Sequence, residues 1–140
     1  NGSLTVVRYD TTGALDNSFD GDGLAVTASC NEARDLVIQP DGRIVVVAMQ
    51  ATGDNQNLAI VRYLSNGSLD RQFGSAGITV VDLGGDYDWP GGVALQGNER
   101  ILVSGEAGGA TGDLATLRLY GYAFSTAPSI APIQLLLLGE

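Results

Sequence analysis

The sequence predicts an all-β protein built from four-stranded antiparallel repeats, arranged as propeller-like blades or as a sandwich-like array. The first observation is internal. Leu58-Ala59-Ile60-Val61-Arg62-Tyr63, followed by Gly67, Leu69-Asp70, Phe73 and Gly77, restates an earlier phrase at a constant offset. That phrase is Leu4-Thr5-Val6-Val7-Arg8-Tyr9, followed by Gly13, Leu15-Asp16, Phe19 and Gly23. Ten of the 24 positions from Leu4 to Thr27 are identical to their counterparts. A degenerate third copy opens at Leu114-Ala115-Thr116-Leu117-Arg118-Leu119, giving about two and a quarter repeats. The second observation is composition. Twenty glycines and only 6% aromatic residues accompany 44% hydrophobic content, a mix that suits short strands joined by tight turns.

The strands follow in order. Thr5 to Tyr9 is β-rich and is expected to pair with a strand beyond a turn at Thr11-Thr12-Gly13. Leu15 to Phe19 reads as a loop anchored by its two apolar ends, and Gly21 and Gly23 precede a strand from Leu24 to Ala28. Arg34 to Gln39 is the next strand. Pro40-Asp41-Gly42-Arg43 is a hairpin turn, because Pro presets one backbone angle and Asp-Gly supplies positive-φ positions. Ile44 to Met49 is a continuous apolar run, as expected of a strand buried on both faces. Ala51 to Asn57 reads as a polar connection.

The second cycle repeats this order: Leu58 to Leu64, Ile78 to Leu83, Gly92 to Gln96, a turn at Gly97 to Arg100, then Ile101 to Ser104. Its extra residues fall in Gly84-Gly85-Asp86-Tyr87-Asp88, a loop, where a strand scaffold tolerates insertion. The organisation is thus repeat 1 over residues 1–57, repeat 2 over 58–113 and a partial repeat 3 over 114–121. Residues 122–140 form a Pro-containing linker and an apolar strand, Ile133 to Leu138. Two and a quarter units do not close a ring, so a single two-sheet sandwich is the alternative architecture. The opening Asn1-Gly2-Ser3-Leu4 reads as the middle of an array, which suggests a piece of something longer or a polymer subunit.

Charge and missing residue types exclude several function classes. Seven Arg, no Lys and sixteen acids give a net charge of −9, which disfavours nucleic acid and anionic membrane surfaces as partners. Without histidine there is no Ser-His-Asp or Cys-His nucleophile and no His-ligated metal. The lone Cys30 forms no intrachain disulfide and is expected to be a half-buried spectator. The longest apolar run, Leu135 to Leu138, is far short of the roughly 20 residues that span a bilayer.

These residues resemble the bacterial delta-60 repeat family of β-propeller-like repeats. The resemblance rests on Arg8-Tyr9, Gly13, Leu15-Asp16, Phe19 and Gln39-Pro40-Asp41-Gly42-Arg43-Ile44-Val45-Val46 in the first unit. In the second it rests on Arg62-Tyr63, Gly67, Leu69-Asp70 and Phe73-Gly74, while the second hairpin loses its Pro-Asp-Gly. It implies a bacterial protein outside the cell or on its surface, with no catalytic residues to carry over.

Three segments are candidates for binding. Asp16, Ser18, Asp20 and Asp22, with Gly21 allowing a sharp turn, fit the first half of a calcium loop; Thr27 stands where a bidentate Glu would close it. Tyr87 and Trp89, beside Asp82, Asp86 and Asp88, could form a sugar platform in which rings stack and acids take hydroxyls. A glycoside hydrolase pair among the same acids is the enzymatic alternative. Ile133, Leu135, Leu136, Leu137 and Leu138, behind Pro128 and Pro132, suit either strand addition to a neighbour or closure of this chain's own sheet. Arg8, Arg62 and Arg118 share one repeat position, and Asp16 and Asp70 are their expected ion-pair partners. The reading that results is a non-catalytic extracellular structural or interaction module that needs no cofactor. Its partners are copies of itself or the remainder of a longer chain. A glycan- or calcium-binding module is the alternative, and a hydrolase or lyase the second.

Overall fold

A computed structural model describes residues 2–97, 100–108 and 112–120, together with the backbone of 134–137. The fold is all-β and antiparallel, with no helix among the described residues. Its strands are β1 (Ser3–Val7), β2 (Leu24–Ala28), β3 (Cys30–Ile38), β4 (Ile44–Thr52), β5 (Asn55–Tyr63), β6 (Ile78–Val81), β7 (Trp89–Gln96), β8 (Arg100–Ala107), β9 (Asp113–Tyr120) and β10 (Gln134–Leu137). They form a two-stranded sheet β1-β2, a meander β3-β4-β5-β6 and a second meander running β7-β8-β9-β10. The three sheets stack in chain order as propeller-like blades.

The sheets and the sequence repeats are out of phase. The repeat begins at β1 and again at β5, whereas each complete sheet begins at β3 or β7. One unit therefore gives its last two strands to a sheet that the next unit finishes. The border at Asn57–Leu58 falls inside β5, in the middle of the β4–β5 ladder that pairs Ile44 with Tyr63 and Thr52 with Asn55.

Two apolar layers hold the stack, and strand alternation sorts residues between them. On the middle sheet, Ile44, Val46 and Ala48 of β4 and Ala59, Val61 and Tyr63 of β5 face the first sheet, where they meet Leu4, Val6, Phe19 and Ala25. The intervening Val45 and Val47, with Leu58 and Ile60, face the third sheet and meet Ile101, Val103, Leu117 and Leu119. The Ile44 to Met49 run is apolar without a break because both of its faces are covered.

The segment from Thr5 does pair with a strand beyond the Thr11-Thr12-Gly13 turn, Leu24 to Ala28, and the turn itself is closed by the Tyr9–Leu15 bridge. Other local expectations are revised. Ala51 to Asn57 is not a polar connection: β4 and β5 run to Thr52 and from Asn55, leaving a tight turn at Gly53-Asp54. The strand expected from Arg34 starts at Cys30 and carries a register shift between Asn31 and Asp35. Cys30 itself is fully buried, not half-buried. The apolar tail segment contributes β10, which pairs antiparallel with β9 from Gln134 opposite Arg118 to Leu137 opposite Ala115. Of the two roles open to this segment, the structure shows closure of the chain's own sheet. Ile133 and Leu138 lie outside the described residues, as do the side chains of Leu135, Leu136 and Leu137.

Candidate functional site

The repeated phrase builds one recurring clamp, and its residues have matching geometry in both copies. Arg8 donates through Nε to Asp16 Oδ2 at 2.8 Å, and Arg62 to Asp70 Oδ2 at 2.9 Å. The guanidinium of Arg8 lies over the Phe19 ring at 4.6 Å from its centre, and that of Arg62 over Phe73 at 4.4 Å. The backbone repeats too. Arg8 N–H donates to the Gly23 carbonyl and Arg62 N–H to that of Gly77; Asp16 and Asp70 return N–H bonds to the carbonyls of Arg8 and Arg62. Gly23 and Gly77 close the loops at φ 89° and 104°, where a Cβ would stand 3.0 and 3.1 Å from the Cβ of Leu15 and Leu69. The motif is a charged staple that ties a loop back onto its strand, with an aromatic lid on the cation.

The two clamps differ in surroundings. Arg62 is wholly buried and Asp70 nearly so, and Asp70 also meets Arg43 at 3.4 Å from the β3–β4 turn. Burial pulls the Arg62 pKa below its ordinary value, opposed by the neighbouring Asp70 carboxylate. The Arg8 and Asp16 side chains stay 34% and 25% exposed. Among the described residues no hairpin of the β3–β4 kind covers β1, so that clamp keeps its contact with water. Across the stack, Arg8 donates to the carbonyl of Ser65 at 2.5 Å and Asp20 N–H to that of Asn66 at 2.7 Å.

The calcium candidate coincides with the first clamp. Asp16 Oδ1 accepts from the N–H and hydroxyl of Ser18, its Oδ2 accepts from Arg8, and Arg8 also donates to Ser18 Oγ. The Ser18 bonds, then Arg8, hold the Asp16 carboxyl below its usual pKa. Asp22 Oδ1 caps Leu24 N–H, and Asp20 sits at φ 51° in the turn. A cation at these oxygens would compete with a guanidinium already seated on them. Among the described residues, no three His, Cys, Asp or Glu side chains are placed to share a metal ion.

In the inserted loop, alternation separates the acid from the aromatics. Asp88 is fully buried and accepts N–H bonds from Leu83 at 2.7 Å and Gly108 at 3.2 Å, pinning the loop to the end of β8. Its neighbours Tyr87 and Trp89 remain 47% and 39% exposed. Asp82 caps Gly84 N–H. Of the acids expected to take sugar hydroxyls, Asp88 is thus sealed inside. Trp89 borders a different polar group: an open groove of about 260 Å³ lined by Trp89, Pro90, Ser104, Glu106 and Leu114. Arg34 lies 5.4 Å from the centre of the Trp89 ring. Sequence reasoning missed Glu106. It stands on the strand after Trp89, and its register opposite Trp89 in the β7–β8 ladder is what joins them.

The architecture defines an all-β array of propeller-blade-like sheets. A family model described as a domain of unknown function (DUF5122) beta-propeller matches residues 39–73, the segment from the β3–β4 turn to Phe73 of the second clamp. The chain is similar to that family over this segment. Comparison with curated proteins and with solved structures gave no match. No helix among the described residues is long and apolar enough to cross a membrane.

Proposed function

We propose that this chain is a non-catalytic repeat module of the delta-60 type, working outside the cell or on its surface, whose incomplete first sheet binds further repeats. One observation carries the reading. Tyr63 is 1% exposed, packed between sheets with its hydroxyl 2.6 Å from Thr27 Oγ1, while Tyr9, the same residue of the preceding unit, is 61% exposed. The local structure of both is the same, but Tyr63 has β4 beside it and the first sheet in front of it, whereas among the described residues Tyr9 has neither a β4-type neighbour nor a sheet in front. A side chain placed for burial and left in water marks a surface made for a partner. The inner edge of β1 has the form of β5, which in the complete sheet pairs with β4.

The test is to place a second copy of residues 30–57 ahead of Leu4, which supplies a β3–β4 hairpin in the natural phase. Its arrival on the β1 edge would protect edge-facing amides within Leu4–Val7 from exchange and raise the melting temperature by about 5 °C or more. Unchanged exchange and melting in a folded protein would overturn the reading.

A second reading, glycan binding, has its own observation: Trp89 is exposed at a groove that holds Glu106 and Ser104, and Tyr87, two residues before it in the chain, is exposed as well. Trp89 is the single tryptophan of the chain, so its emission reports any ring stacking directly. A saturable shift with an oligosaccharide panel would support this reading, and a flat response across the panel would remove it.

A further inference from the structure

The sheets meet through two kinds of face, and the chain displays one of each uncovered. At the first junction, a rear face made by Leu4 and Val6 takes a front face made by Val46, Ala59, Val61 and Tyr63. At the second, the rear face holds Val45, Val47, Leu58 and Ile60, and the front face Ile101, Val103, Leu117 and Leu119. Repeat equivalence shows that both junctions use the same positions. Leu58 and Ile60 on the second rear face answer to Leu4 and Val6 on the first, one repeat earlier.

Among the described residues, the outer side of β1-β2 is a front face with no rear face against it. Thr5, Val7 and Tyr9 stand where Ala59, Val61 and Tyr63 stand in the middle sheet, and Val26 lies opposite Thr5 in the ladder. Val7, Tyr9 and Val26 are 40%, 61% and 61% exposed on this side. The outer side of the third sheet is likewise a rear face with no described front face against it. Its rows are Ala94, Leu102 and Arg118, then Gly92, Ser104 and Thr116. Leu102 and Ser104 hold the repeat positions of Val45 and Val47, because Arg100-Ile101 aligns with Arg43-Ile44. The small residues of the second row, with Leu102 and, at the margin, Asp35 of β3, line a shallow depression of about 280 Å³.

We propose that this protein stacks head to tail with copies of itself, the outer face of β1-β2 of one copy seated on the outer face of β7-β8-β9 of the next. The occupant is a second copy because the internal junctions already join these two kinds of face. The contact is heterologous, so it propagates into a ring or a filament. It also places a specific polar bond. Arg8 reaches the Ser65 carbonyl across the first junction. Arg118 holds the same repeat position as Arg8, and Thr11 the same position as Ser65, so Arg118 would reach the Thr11 carbonyl of the arriving copy.

This proposal rests on the interaction-module reading, and the two fail separately. Hairpin placement on β1 tests the edge, whereas stacking is tested on the native chain by sedimentation velocity up to about 1 mM, the range of weak association. The wild-type chain is expected to form species that grow with concentration. It should also associate more in high salt, which screens the net charge of −9 on each copy. Val26→Asp blocks the front face and Leu102→Asp the rear face, with Thr116→Asp as the substitute should Leu102→Asp not fold. Each variant alone should stay monomeric, because its one intact face meets no complement. Mixed one to one, they should give a heterodimer through their two intact faces and stop there. A monomeric wild type at about 1 mM, a mixture that stays monomeric, or variants that leave assembly unchanged would each overturn the proposal.

Discussion

Arg62 and Asp70 form a 2.9 Å ion pair out of reach of solvent, while Arg8 and Asp16, one repeat earlier, form the same pair at 2.8 Å in partial contact with water. The two pairs are an internal control on what burial does to one interaction. Removing one partner of a buried pair strands a charge, so Asp70→Asn is expected to cost about 3–5 kcal/mol in denaturant unfolding. Asp16→Asn should cost a small fraction of that loss, since water takes over the bonds of the one oxygen replaced. Replacing both buried partners, Arg62→Met with Asp70→Leu, should recover most of the stability. Equal losses at Asp70 and Asp16 would show that burial is not the controlling difference.

Gly77 sits at φ 104°, and an added Cβ would stand 3.1 Å from the Cβ of Leu69. Gly77→Ala therefore combines an unfavourable backbone conformation with a clash against a residue fixed by the loop. It should cost at least about 1–2 kcal/mol by chemical denaturation. Gly84, at φ 95° with nothing near its missing Cβ, isolates the backbone contribution, and Gly84→Ala should cost less.

Burial raises the pKa of Cys30 and of Tyr63, the latter partly offset by the hydrogen bond with Thr27. A folded-state pKa above the unfolded one means the native chain holds its proton longer. Stability is then full below the unfolded value, about 9 for the thiol, and falls as pH rises through the folded value. Melting temperatures should drop from about pH 9 upward, and Cys30→Ala should lessen the drop. Alkylation of native Cys30 at about pH 8 should be slow and track unfolding. Rapid labelling of the native chain would contradict its burial.

Calcium is expected to leave the melting temperature unchanged, because Arg8 and Ser18 already occupy the Asp16 carboxylate. The informative companion is Arg8→Met, which vacates one of its oxygens. A calcium-dependent shift in the wild type would restore the loop of Asp16, Ser18, Asp20 and Asp22 as a cation site.

Much of the strand plan was legible because the repeat preserves backbone bonds along with residues. Arg, Asp, Phe and the closing Gly recur since each has a fixed place in one clamp, so the Arg8–Asp16 and Arg62–Asp70 pairs could be named from spacing. Pro40-Asp41-Gly42 announced its turn, and Gly42 does adopt φ 84°. Polarity misled at Asn55, Gln56 and Asn57, which lie in β5 because ladder bonds come from the backbone and ask nothing of the side chain. The phase of the sheets was not legible at all: similarity between units gives a period, and any point in the cycle serves equally as its start. Asp88 looked like its neighbours Asp82 and Asp86, since residue type carries no sign of direction. The available signal was the alternation of side chains along a strand, which turns Asp88 away from Tyr87 and Trp89.

The half-cycle offset between repeat and sheet bears on how such a chain changes length over evolutionary time. A duplication cut at the Asn57–Leu58 border inserts material in the middle of a ladder. The β4-type strand upstream and the β5-type strand downstream are nevertheless both present on either side of the insertion. Every old strand then finds a neighbour of the kind it had before, and the array lengthens by one whole sheet without passing through a state that has lost a pairing. Deletion of a unit runs the same path backward. An arrangement with repeat and sheet in step would add sheets joined only by side-chain packing. Here each new sheet is stitched to genetic material from two units, so copy number can drift while the hydrogen-bonded scaffold stays intact.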